Sequence, residues 1–158
     1  MITASIQEIK KELRTLNTDR LQELCLRLAK YKKENKELLN YLLFEAQNEQ
    51  TYIENVKVEI ADLFKNVPTS NVYSIKKSLR KILRLANRQI KYSGIHQTEL
   101  EMRIFVCTKI KAAKIPRQQG TVLFNLYQQQ LKRIESTFAK LPEDNRADYS
   151  RELKYIVS

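Results

Sequence analysis

Apolar residues recur at three- and four-residue spacing along almost the whole chain, which is the signature of amphipathic helices rather than of strands. Ile6, Ile9, Leu13 and Leu16 share one helical face, and Ser5 followed by Glu8 has capping-box spacing, so a first helix is predicted over 3–16. Asn17, Thr18 and Asp19 can cap a second helix, with Leu21, Leu24, Cys25 and Leu28 on its apolar side. It fades in the charged run at 31–36. Asn35 can cap a third helix, in which Leu38, Leu39, Tyr41, Leu42, Leu43 and Phe44 leave only Asn40 polar. Such a helix should be covered on most sides.

After the polar break at 47–50, Ile53, Val56, Ile60, Leu63, Phe64 and Val67 set up a fourth helix that Pro68 stops. A fifth runs from Asn71 to Ser93, with Gly94 placed as a left-handed C-terminal residue and Ile95 as the apolar contact beyond it. Thr98 and Glu101 repeat the capping-box spacing for a sixth helix, whose Leu100, Met102, Ile104, Phe105, Val106, Cys107 and Ile110 point in nearly every direction. That helix should be central. Pro116 and Gly120 bracket a linker before a seventh helix carrying Val122, Leu123, Leu126, Tyr127, Leu131, Ile134, Phe138 and Leu141, and an eighth is predicted over 144–156.

These elements predict an all-α fold of about eight helices in antiparallel hairpins, arranged as an α-solenoid-like array or, alternatively, as a closed multi-helix bundle. The tetrapeptide LRLA occurs at 26–29 and 83–86, which in a leucine-rich helical chain marks no repeat. A length of 158 residues suits a single helical domain over 1–158, and 2 Gly and 3 Pro are too few turn residues for an all-β or α/β chain.

Charge sharpens the picture. The formal net charge is +11, and almost all of the excess lies at 68–117, with twelve basic residues against two acidic ones. At about 100° per residue, Lys76, Lys77, Arg80, Lys81, Arg84, Arg88 and Lys91 fall within an arc of roughly 140°, opposite Val72, Ile75, Leu79, Ile82, Leu83, Ala86 and Ile90. No aspartate or glutamate interrupts the run 74–94. Like charges at i and i+4 destabilise a helix by a few tenths of a kcal/mol per pair. A phosphate backbone would reward the same row. Lys109, Lys111, Lys114 and Arg117 extend the positive region toward Gly120 and Thr121, and Tyr73 and Tyr92 border it as candidate stacking residues. The competing explanation is internal neutralisation by Glu54, Glu59 and Asp62 of the fourth helix.

Catalytic and metal chemistry find little purchase. His96 is the single histidine and is placed in a turn, and Glu45/Glu49 and Glu59/Asp62 are ordinary helical spacings. Cys25 and Cys107 form no metal spacing and read as buried, reduced thiols. No catalytic residue, metal or cofactor is expected. The first residues lack the apolar centre of a signal peptide and no run approaches the roughly 20 apolar residues of a membrane span, so a cytoplasmic chain is expected. The expected function is a noncatalytic module that engages nucleic acid phosphates with low sequence selectivity. The alternative is a scaffold that binds an acidic protein or a peptide.

Overall fold

The computed structural model describes all residues from Met1 to Ser158 and is all-helical: 78% of the residues are helical, no strand is present, and eight helices are two turns or longer. The order is α1 (Ile6–Leu13), α2 (Thr18–Tyr31), α3 (Lys33–Asn40), a π-helical segment (Tyr41–Glu45), α4 (Glu49–Phe64), α5 (Val72–Ser93), α6 (His96–Ala112), α7 (Val122–Ala139), the single turn α8 (Glu143–Arg146), a 3-10 turn (Ala147–Tyr149) and α9 (Ser150–Val157). The chain divides into two compact units, Met1–Phe44 and Glu45–Ser158. No helix is long and apolar enough to cross a membrane.

The first unit is shallow. Its α1 starts on the predicted capping box, the Ser5 amide donating to Glu8 Oε2 at 2.7 Å while Ser5 Oγ accepts from the Glu8 amide at 3.3 Å. Asn17 caps α2 by accepting from the Arg20 amide at 2.8 Å, and α2 packs along α3. Asn35 does not cap α3, as its position in the sequence suggests. That helix begins two residues earlier, and the Asn35 amide reaches back to donate to the Leu28 carbonyl at 2.8 Å, satisfying a carbonyl in the last turn of α2. The expectation that 38–44 is covered on most sides also fails. Tyr41 alone is buried in this unit, while Leu42, Leu43 and Phe44 are 57%, 52% and 70% exposed. Within this unit the packing partner is α2, which serves one side of the segment, so apolar residues on its other sides lie uncovered, and the winding changes to π-helical over Tyr41–Glu45.

The second unit holds the core. Consecutive helices pack as neighbours, α4 on α5, α5 on α6 and α6 on α7, and α6 also meets α4 and α9. That central position explains its nearly all-round apolarity: Leu100, Met102, Ile104, Val106, Cys107 and Ile110 are all buried. Around it lie Ile53, Val56 and Ile60 of α4, Ile75, Leu79, Ile82 and Ala86 of α5, Leu123, Tyr127 and Ile134 of α7 and Ile156 of α9. Fully burying one such aliphatic side chain contributes about 1.5–3 kcal/mol.

Four local expectations fail. Thr98 is not a cap, because α6 already starts at His96 with Ile95 at the N-cap, and Thr98 is fully buried. His96 accordingly lies in the first turn of α6, not in a separate turn. The predicted eighth helix is broken into α8, the 3-10 turn and α9. Cys107 is buried as expected, but Cys25 is exposed, since α2 belongs to the unit without a sealed core.

Candidate polyanion-binding surface

The backbone signals that begin and end α5 act as their residue types predict. Asn71 Oδ1 accepts from the Tyr73 amide at 2.9 Å, and Gly94 takes the left-handed conformation (φ 69°) with its amide donating to the Ile90 carbonyl at 2.9 Å. Only a residue without a Cβ enters that conformation at little cost. Between these ends, Ile75, Leu79, Ile82, Leu83, Leu85, Ala86 and Ile90 are buried, and this fixes the rotation of the helix. The cationic residues must then face away from the core.

They do so largely as a group. Lys77, Arg80, Lys81, Arg84 and Lys91 are exposed, and Lys76 and Arg88 are half-buried. None of the seven has a carboxylate within 4.0 Å. The acids of α4 do not serve as counter-ions to the row: Glu54 pairs with Lys57 at 3.4 Å and Asp62 with Lys65 at 2.8 Å, each with a lysine three residues along its own helix. From Lys76 to Lys91 the row is about 22 Å long at the rise of an α-helix. Arg88 is the member most engaged with the fold, its Nε shut off from solvent without an acceptor.

The aromatic borders differ. Tyr73 is 66% exposed, with Lys76 Nζ over its ring at 5.1 Å from the centroid. Tyr92 is half-buried. Beyond Gly94 the positive region is partly absorbed by the fold. Lys111 donates to the Tyr155 carbonyl and, at 2.7 Å, to Ser158 Oγ, with its Nζ over the Tyr155 ring at 4.6 Å. Arg117 stacks on Tyr127 at 4.8 Å and donates to the Ile115 carbonyl at 3.3 Å. Lys109 lies over Phe105 at 5.3 Å, and Lys114 is exposed. The Thr121 hydroxyl accepts from the Phe124 amide at 3.2 Å, so the first turn of α7 already has an internal cap.

Comparison with protein-family models, curated proteins and solved structures finds no significant match. Residues and geometry therefore carry the functional argument by themselves.

One charged residue of the central third was not picked out by periodicity. Arg103 of α6 is 3% exposed and ties three helices together. Its Nε donates to Glu99 Oε1 at 2.8 Å, and its Nη1 donates to Asn87 Oδ1 of α5 and Gln130 Oε1 of α7, both at 3.0 Å. Burial lowers the Arg103 pKa from its ordinary value, the Glu99 carboxylate opposes that shift, and the charge of Arg133 adds to it. The visible signal is a lone arginine inside the apolar run Met102–Val106. A charge at a core position needs partners on neighbouring elements.

Proposed function

We propose that this chain is a noncatalytic binding module whose α5 surface engages a polyanion, nucleic acid phosphates above all, with low sequence selectivity. The observation that carries the reading is the row Lys76, Lys77, Arg80, Lys81, Arg84, Arg88 and Lys91, five of them exposed and none with a carboxylate partner. Local stability would be better served by alternating signs, so the row costs the helix free energy that a ligand can return. In this reading Arg80 and Arg84 donate paired hydrogen bonds to phosphate oxygens, while the lysines supply longer-range attraction. Contacts of this kind position a strand without reading its bases.

The deciding experiment is binding of a generic fluorescent oligonucleotide at low salt to the protein and to a Lys77→Glu, Arg80→Glu, Lys81→Glu, Arg84→Glu variant. All four positions are exposed, so the variant should fold. The expected result is loss of binding, with the parent's affinity falling steeply as salt rises. Unchanged affinity rejects the reading. A partner that is captured equally well after nuclease treatment would point to an acidic protein on the same face.

A further inference from the structure

The row on α5 has a geometric continuation that differs from the one along the chain. Both α5 and α7 pack on α6, and the Arg103 guanidinium bridges them from below through Asn87 and Gln130. Residues three or four positions from these two bridge points lie on their side of each helix. On α5, Arg84 lies three residues before Asn87 and Lys91 four residues after it, and both are exposed. On α7, Arg133 lies three residues after Gln130, is exposed, and has no carboxylate within 4.0 Å.

Glu99 is the one acid at the tie, and its Oε1 is taken by Arg103 Nε. Arg103 and Glu99 therefore offset each other, leaving Arg84, Lys91 and Arg133 as the unbalanced charges around the seam. Arg133 is also close enough to Arg103 for the two cations to oppose one another. By contrast, Lys111 and Arg117, on the route that the chain itself suggests, are spent on Tyr155, Ser158 and Tyr127.

We propose that the seam between α5 and α7 is a phosphate-binding crossing, where a bound strand leaves the α5 row and passes over the Arg103 tie, its phosphates held by Arg84 and Lys91 on one bank and Arg133 on the other. The inference rests on the reading of α5 as a polyanion surface and specifies the path of the ligand across it. Arg103 is a positioning residue here, since it holds the two banks at a fixed separation.

The test measures binding of a fluorescent 20-nucleotide single-stranded oligonucleotide to the full chain as a function of salt. Five proteins are compared: the parent, Arg133→Ala, Arg133→Lys, Lys154→Ala and the fourfold α5 charge reversal. Removing Arg133 should weaken binding about five- to tenfold at low salt and lower the slope of log K against log salt by about 0.7, the value for one lost phosphate contact to a single strand. Lys154→Ala, which removes an exposed cation of α9 outside the proposed surface, should change neither quantity appreciably, and Arg133→Lys should recover part of the slope. If Arg133→Ala binds like the parent while the α5 reversal abolishes binding, the crossing is wrong and the α5 surface stands. If neither variant loses affinity, both fall. Equal losses from Arg133→Ala and Lys154→Ala would reduce the effect to net charge and overturn the crossing.

Discussion

Thr98 in the first turn of α6 donates its hydroxyl to Glu49 Oε1 in the first turn of α4, 2.6 Å away and 49 residues earlier in the chain. The same carboxylate oxygen accepts from Ser93 Oγ at the end of α5. One acidic side chain therefore fastens the start of α4 to the turn between α5 and α6. A carboxylate near a helix N-terminus is also favoured by the helix dipole, so Glu49 does both tasks from one position.

Replacing Thr98 by valine keeps the shape and removes the donor. Because hydrogen bonds to charged groups contribute about 1.5–3 kcal/mol, Thr98→Val should lower stability by an amount in that range in a urea titration. The double variant with Glu49→Gln should cost less than the sum of the two single changes, by at least about 0.5 kcal/mol. Strict additivity would mean that the two residues act independently.

The two cysteines should react on different timescales. Cys25 is exposed, whereas burial pushes the Cys107 thiol up to about 12, against the attraction of Arg103 and Arg117. At pH 8 only on the order of one Cys107 side chain in ten thousand is then thiolate, the reactive form. A chromogenic thiol reagent should label one cysteine per chain in the native protein and both in denaturant. Rapid native labelling of two would contradict the sealed core around α6.

Alkaline stability should fall in a defined window. Tyr127 donates to the Ile156 carbonyl at 2.5 Å, and burial pushes its pKa up to about 12 from the ordinary 10.0. Tyr149 donates to Glu101 Oε1 at 3.1 Å and is pushed up to about 12 first by burial and then by the Glu101 charge. The unfolded chain releases these protons near pH 10, earlier than the folded chain does. Their contribution is therefore complete below pH 10 and is lost as the pH rises toward 12. Tyr127→Phe should cost about 1 kcal/mol at neutral pH and show a shallower decline than the parent between pH 10 and 12, as followed by thermal unfolding.

The parts of the fold that are legible in the sequence share a cause: they depend on local chemistry. Ser5 with Glu8, Asn17, Asn71 and Gly94 act at the positions where their residue types place them, because each bonds a backbone group within a few residues. The centrality of α6 is legible too, since a helix apolar on all sides must be surrounded. Thr98 and Asn35 mislead for the opposite reason. Each has a plausible local role, and each is instead recruited by a more distant partner, Glu49 or the Leu28 carbonyl. The run Leu38–Phe44 misleads because all-round apolarity implies cover without supplying it, and its unit buries only Tyr41. For the candidate site, the direction of the α5 row follows from periodicity alone. Whether Lys111 and Arg117 extend it depended on α7 and α9 rings that only tertiary structure brings alongside, and Arg133 enters through the Arg103 tie, which joins residues 87, 103 and 130.

Seven like charges on one side and no acid among its residues leave α5 poorly equipped to hold its shape in water by itself, although it is the longest helix of the chain. It is kept helical by its apolar underside, seated on α4 and α6. An excised peptide spanning 72–93 would thus be a poor surrogate for the protein: it would carry the same cations but unravel, and hold them at no fixed spacing. If α5 engages a polyanion as proposed, capture should track the cooperative melting of the second unit, because only the intact scaffold holds the cations at a fixed spacing.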